Sequence, residues 1–166
     1  MKALAKLNKL YPELCAAENA VKSGKTPISV SGATGSEKNQ LIYSFAENTG
    51  KKALVIASDE LSAKEIYADI SSMSGENVLF FRAKEYVFYD VDVSAREIEA
   101  ERINVIKNIK NADFIVTSAA AIMQYTVKKE IFDFYCKTYS AGDIIDVSKL
   151  AETLVETGYK RVSQVE

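Results

Sequence analysis

Short, nearly continuous runs of apolar residues alternate along this chain with longer stretches in which apolar positions recur every third or fourth residue. The runs are Ile28-Ser29-Val30, Ala53-Leu54-Val55-Ile56-Ala57, Val78-Leu79-Phe80-Phe81 and Phe114-Ile115-Val116-Thr117. Their length and composition predict strands, and their lack of polar alternation fits a sheet covered on both faces. Helices are predicted from Pro12 to about Val21, in the stretch holding Leu41, Ile42 and Phe45, from Leu61 to Met73, and from Ser94 to about Lys110. Pro12 suits a first helical turn, whereas Gly24, Gly50 and Gly75 stand where helices end. Ser94 and Glu97 have the S-x-x-E spacing of a capping box, and Ile98, Val105 and Ile109 mark a buried stripe behind it. Strands alternating with helices at this spacing predict an α/β fold, a parallel sheet with flanking helices.

After about Thr126 the pattern changes. Tyr135 to Ile145 reads as extended chain with a turn at Ala141-Gly142-Asp143, and Val147, Leu150, Leu154 and Val155 define an amphipathic helix between Asp146 and Gly158. Tyr159 to Glu166 alternates like the beginning of a strand. The expected organisation is an α/β domain over 1–126 and the start of a small α+β domain over 127–166, cut inside that second domain. The aromatic stretch Tyr86 to Tyr89 reads as a covered loop.

Residues 30 to 40, Val30-Ser31-Gly32-Ala33-Thr34-Gly35-Ser36-Glu37-Lys38-Asn39-Gln40, follow a strand and open a helix, which is the setting of a phosphate-binding loop. The form G-x-x-x-x-G-K-[ST] needs a second glycine so that backbone N–H groups cradle phosphates, a lysine to reach them and a hydroxyl for Mg²⁺. Gly32 and Lys38 keep their places, with Gly35 between them. Glu37 replaces the second glycine and Asn39 the hydroxyl, so the loop is a degenerate one that does not hydrolyse nucleotide. A helix start still offers N–H groups to an anion, but a structural turn is the favoured reading.

Composition narrows the chemistry further. The chain has 166 residues, 48% of them hydrophobic, enough for one core with a small appendage. A formal net charge of −2 leaves no basic footprint for nucleic acid. Histidine is absent, which sets aside Ser–His and Cys–His nucleophiles and most zinc sites. Cys15 and Cys136 are isolated, as reduced structural thiols of a cytoplasmic protein are. No apolar run reaches signal-peptide or membrane-span length. Asp59-Glu60 after the second run reads as a helix N-terminal feature. The aromatics Phe80, Phe81, Tyr86, Phe88 and Tyr89 read as packing rather than as a base-stacking platform, because Glu85, Asp90 and Asp92 crowd them.

Three stretches carry a resemblance. Phe81-Arg82-Ala83-Lys84-Glu85-Tyr86-Val87-Phe88-Tyr89-Asp90 with Ser94, Glu97 and Arg102 is similar to the aromatic E-x-L-P-Y-D stretch, and the helix after it, of the bacterial transcription-repair coupling factors. Ala112 to Ser118 with Met123-Gln124, and Ala141-Gly142-Asp143 through Gly158-Tyr159-Lys160-Arg161-Val162, resemble further segments of the same family, the last its G-Y-x-R-V segment. The first module of that family is itself similar to UvrB, a component of excinuclease ABC.

The resemblance implies a helicase-like fold that has lost its motor function, with no catalytic residue, metal or cofactor. There is no room between Asp90 and Ser94 for the DNA-inserting β-hairpin of UvrB. The implied role is a non-catalytic adaptor in transcription-coupled DNA repair that brings UvrA, another component of excinuclease ABC, to stalled RNA polymerase. Tyr159, Lys160 and Arg161 would then stand at the partner-binding surface. RNA polymerase and DNA would be engaged only through other regions of a longer protein. The rival readings are a P-loop-like nucleotide-binding enzyme with an atypical loop and a DNA-binding fragment of UvrB.

Overall fold

Three of the four apolar runs pair into a sheet. A computed structural model describes residues 5–75, 77–84 and 92–162. A 3-10 turn (Lys6–Leu10), α1 (Pro12–Lys22) and α2 (Gly35–Thr49) precede β1 (Ala53–Ala57); α3 (Glu60–Ser74) leads to β2 (Val78–Phe81), and α4 (Asp92–Asn108) to β3 (Phe114–Ser118). The strands are parallel in the order β1-β3-β2, with Phe114 level with Ala53 on one side and Val78 on the other. Parallel neighbours require crossover connections, and α3 and α4 lie in those connections.

Because side chains alternate across a strand, the sheet divides its residues between two faces. Phe114, Val116, Val78 and Ala57 are buried with Ile66 and Ile70 of α3 and Tyr43 of α2. Tyr43 stacks on Phe114 at 5.9 Å between ring centroids, and Tyr67 on Phe80 at 5.2 Å. Offset aromatic pairs of this kind add to the gain from burial alone. On the other face Phe81 lies beneath the Arg102 guanidinium of α4, 4.0 Å from its ring centroid. Arg102 also donates to the carbonyl of Arg82, so its charge is held by a ring face and a backbone oxygen while buried.

The N-terminal elements are tied by a buried carboxylate. Glu18 of α1 accepts from the Asn8 amide at 2.9 Å and the Asn48 amide at 2.8 Å, and Asn48 also donates to the Ala5 carbonyl. Cys15, half-buried, donates its thiol to the Asn8 carbonyl at 3.5 Å.

Several expectations need correction. Ile28-Ser29-Val30 is not a strand: it pairs with nothing among the described residues, and Ile28 and Val30 are exposed. The sheet is not covered throughout either, since Leu54 and Ile56 on β1 are 56% and 53% exposed. An apolar run records what a strand is suited to, and burial requires a neighbour to supply the cover. Helix α4 starts at Asp92, two residues before the expected cap at Ser94, and ends at Asn108, so Ile109 falls beyond it and is exposed. Tyr86 to Tyr89 and residues 163–166 lie outside the described residues.

The chain divides into two compact units, Met1–Gln124 and Tyr125–Glu166. The first contains a short α5 (Ala119–Ile122) after β3. The second contains α6 (Lys129–Tyr135), which the sequence pattern did not announce, and α7 (Val147–Glu156). Asp146 caps α7 by accepting from the N–H groups of Ser148 and Lys149. Gly158, at φ +95°, closes it, with the Tyr159 N–H reaching back to the Leu154 carbonyl. The turn at Ala141-Gly142 is closed by Asp143 N–H on the Ser140 carbonyl and by Ser140 N–H on the Asp143 carboxylate. Tyr159 to Val162 is not a strand. Among the described residues, no helix is long and apolar enough to cross a membrane.

Candidate functional site

The loop at Gly32 begins without the strand that a phosphate cradle needs. Gly32 and Gly35 hold φ at +91° and +52°, the left-handed region in which a side chain is strained. Helix α2 starts at Gly35 with Thr34 as its N-cap. Only a short turn therefore separates Gly32 from the helix, and Glu37, Lys38 and Asn39 are already helical. Glu37 sits in the first turn, where its carboxylate complements the positive end of the helix dipole. Lys38 is exposed. Asn39 turns the other way: it is 4% exposed, and its amide donates to the Asp69 carboxylate of α3 at 2.8 Å. The position that would offer a hydroxyl to Mg²⁺ in an intact loop here pins α2 to α3.

The carboxyl ends of parallel strands are where α/β folds place their sites, and a polar cluster stands there that the sequence reading missed. The Ser118 hydroxyl donates to Glu60 Oε2 at 2.6 Å, and the Ala83 N–H donates to Glu60 Oε1 at 3.2 Å. Ser118 in turn caps α5 by accepting from the Ala121 N–H. Lys84 and Gln124 exchange two bonds, Lys84 N–H to Gln124 Oε1 at 2.7 Å and Gln124 Nε2 to the Lys84 carbonyl at 3.0 Å. Salt bridges Arg82–Glu101 (3.2 Å) and Lys84–Glu99 (2.9 Å) flank them. Both Glu60 oxygens are engaged by protein donors, which makes the cluster a latch joining β3, α3 and the chain after β2. A serine directly behind an apolar run, followed by Ala-Ala-Ala, was the sequence signal for this cap.

Asp59, beside Glu60, is the N-cap of α3, as its position suggested. Its carboxylate accepts from the Ser62 N–H at 2.8 Å and from the hydroxyls of Ser58 and Ser62. These bonds, the Ser62 N–H first, lower its pKa from 3.8 to about 2. A depressed carboxylate contributes stability that is complete above the unfolded value and is lost as pH falls through the folded one. The α3 cap is accordingly expected to hold down to about pH 4 and to release between there and about pH 2. An NMR titration of the Asp59 carboxyl checks this, and a midpoint at the ordinary aspartate value would show that the cap does not form.

In the second unit Tyr159, Lys160 and Arg161 follow Gly158 as consecutive exposed residues beyond the end of α7. A fixed helix terminus thus presents an aromatic ring and two cations in irregular chain, a composition suited to a carboxylate-bearing surface. The loop residues Gly32, Gly35 and Lys38 belong to the first unit.

No protein-family model matches the sequence, and no solved structure matches it. The transcription-repair-coupling factor of Bacillus subtilis is 26% identical over 150 residues, which cover 89% of this chain and 13% of that protein. UvrABC system protein B of Thermotoga maritima is 25% identical over 149 residues, 81% of this chain and 22% of the relative. UvrABC system protein B of Borreliella afzelii is 22% identical over 159 residues, with shares of 87% and 24%. The chain thus spans less than a quarter of the length of each of these relatives. Over most of its own length it is homologous to transcription-repair-coupling factor and to UvrABC system protein B, as its aromatic stretch and its Gly158-Tyr159-Lys160-Arg161-Val162 segment indicated.

Proposed function

We propose that this chain is a non-catalytic adaptor module of transcription-coupled nucleotide excision repair, which helps to recruit the UvrA component of excinuclease ABC to stalled RNA polymerase. On this reading the first unit is a degenerate P-loop, helicase-like domain kept as a scaffold. The second is the beginning of a partner-binding domain, and the protein works in the cytoplasm. RNA polymerase and DNA are engaged through other regions of a longer protein.

The observation that carries the reading is the inward turn of Asn39 onto Asp69, within a chain similar to both the coupling factor and UvrABC system protein B. Similarity to a repair protein supports the pathway. A phosphate-loop position spent on joining two helices supports a scaffold role over a nucleotide-driven one. For the partner surface the support is chemical: Arg161 is exposed next to Tyr159, and its planar fork can pair bidentately with a carboxylate.

Replacing Arg161 by glutamate in a longer protein that contains this region is expected to weaken binding of purified UvrA about tenfold, roughly the loss of one good interface contact. Circular dichroism should be unchanged, because the side chain is exposed. Equal affinity for the wild type and the Arg161→Glu variant would remove this residue from the surface. Failure of the wild type to bind UvrA would end the recruitment reading.

A further inference from the structure

Strand β2 ends at Phe81, and side chains supply the backbone hydrogen bonds that a neighbouring strand would otherwise make to the next three residues. The Arg102 guanidinium donates to the Arg82 carbonyl, and Glu60 accepts from the Ala83 N–H. Gln124 both accepts from the Lys84 N–H and donates to the Lys84 carbonyl. A glutamine side chain ends in the same amide group as the backbone, so Gln124 exchanges two bonds with Lys84 as facing residues of antiparallel strands do. Gln124 is also the last residue of the first unit. It is half-buried, whereas Tyr125 directly after it is fully exposed and begins an irregular stretch that runs to Lys128.

These bonds close on themselves. From Ala83 they run to Glu60, from Glu60 to the Ser118 hydroxyl, and from Ser118 to the Ala121 N–H. The Ala121 carbonyl accepts from the Gln124 N–H at 3.3 Å, and the Gln124 side chain returns to Lys84, next to Ala83. Ser118 and Ala121 are buried, so a group stripped of its partner there has no water to turn to, and each bond depends on the others. We propose that this ring is a lock on the chain that leaves the first unit. Its bonds form and break together, and opening it at α3 or after β2 releases Gln124 and with it the stretch 125–128 that leads into the second unit. Gln124 is then a positioning residue for whatever the second unit carries, whether or not that unit serves repair.

Amide hydrogen exchange of the 166-residue chain, followed by NMR, tests the lock. In the wild type the N–H groups of Ala83, Lys84, Ala121 and Gln124 are expected to share one protection factor, about tenfold or more below that of the best-protected N–H groups of β3, because the ring opens without unfolding the core. Four unrelated factors would overturn the proposal, and this measurement requires no variant to fold. Gln124→Met keeps the length of the side chain and loses both bonds to Lys84. Protection should fall about tenfold at Lys84 and equally at Ala83 and Ala121, whose bonds go to Glu60 and Ser118. Glu60→Gln leaves an acceptor for Ala83 but turns a donor toward Ser118, and should lower protection about threefold at Lys84 and Gln124. Chymotrypsin reads the release itself. Cutting after Tyr125 requires the protease to draw the preceding residues, Gln124 among them, into extended form, so the rate follows the open population and should rise by the same factors. Loss of protection confined to the residue whose own bond was removed would reduce the ring to separate contacts and overturn the proposal. So would an unchanged rate of cleavage after Tyr125, which would show that the ring holds nothing beyond itself.

Discussion

Replacing Phe114 by alanine is expected to cost the first unit about 3–5 kcal/mol, a large fraction of the about 5–15 kcal/mol by which a domain is ordinarily stable. Phe114 is 1% exposed in the central strand, level with Ala53 and Val78, and its ring stacks on Tyr43. Hydrogen bonding to a strand on each side holds the β3 backbone in place, so the cavity left by the ring cannot close by collapse. The loss therefore includes a cavity contribution as well as the transfer free energy of the ring. Urea unfolding followed by far-ultraviolet circular dichroism measures it. Ile56→Ala, which removes an apolar side chain from the open face of the edge strand, serves as the control and should change stability by less than about 0.5 kcal/mol. A loss below about 1 kcal/mol at Phe114 would mean that α2 does not pack on the sheet.

The contrast between Phe114 and Ile56 also shows what the chain made legible. Both lie in apolar runs, and both runs became strands because β-branched and aromatic residues suit a pleated surface. Which face is covered depends on the neighbours each strand acquires, and the run itself does not encode that. Ile28-Ser29-Val30 differs for the same reason: its residues favour extended chain, but among the described residues it has no pairing partner, and an isolated extended segment gains nothing from its propensity.

Helix ends were easier to read. Asp59, Asp146, Gly50 and Gly158 act through bonds and backbone angles local to their own sequence, and each stands where its residue type indicated. Glu60, Ser118, Lys84 and Gln124 were not legible as a group, because they meet only after the sheet has brought separated segments together. Arg102 is similar: its place over Phe81 depends on how α4 crosses β2.

Asn39 belongs to both kinds of evidence, since its type was readable as a departure from a motif but its use was not. Replacing Glu37 by glycine and Asn39 by threonine together would spell out a complete G-x-x-x-x-G-K-T, and the expected result is loss of stability without gain of nucleotide. Residue 37 is in the first turn of α2, where glycine costs about 1 kcal/mol in helix propensity and the carboxylate that complements the dipole is removed. Residue 39 is buried, and its amide bond to Asp69 has a charged acceptor, so its loss costs about 1.5–3 kcal/mol. Threonine is shorter and cannot reproduce that amide donor. Together the two changes should lower unfolding stability by about 3 kcal/mol. The nucleotide site should still not form, because helix α2 begins at Gly35 and the turn from Gly32 is too short to wrap a phosphate chain with backbone N–H groups. Urea unfolding and a titration with Mg²⁺ and ATP decide the matter. Micromolar ATP binding by the double variant at undiminished stability would mean that two residues alone separate this scaffold from a working phosphate loop. Loss of stability without binding would place the difference in the backbone, where reversing those two residues cannot reach it.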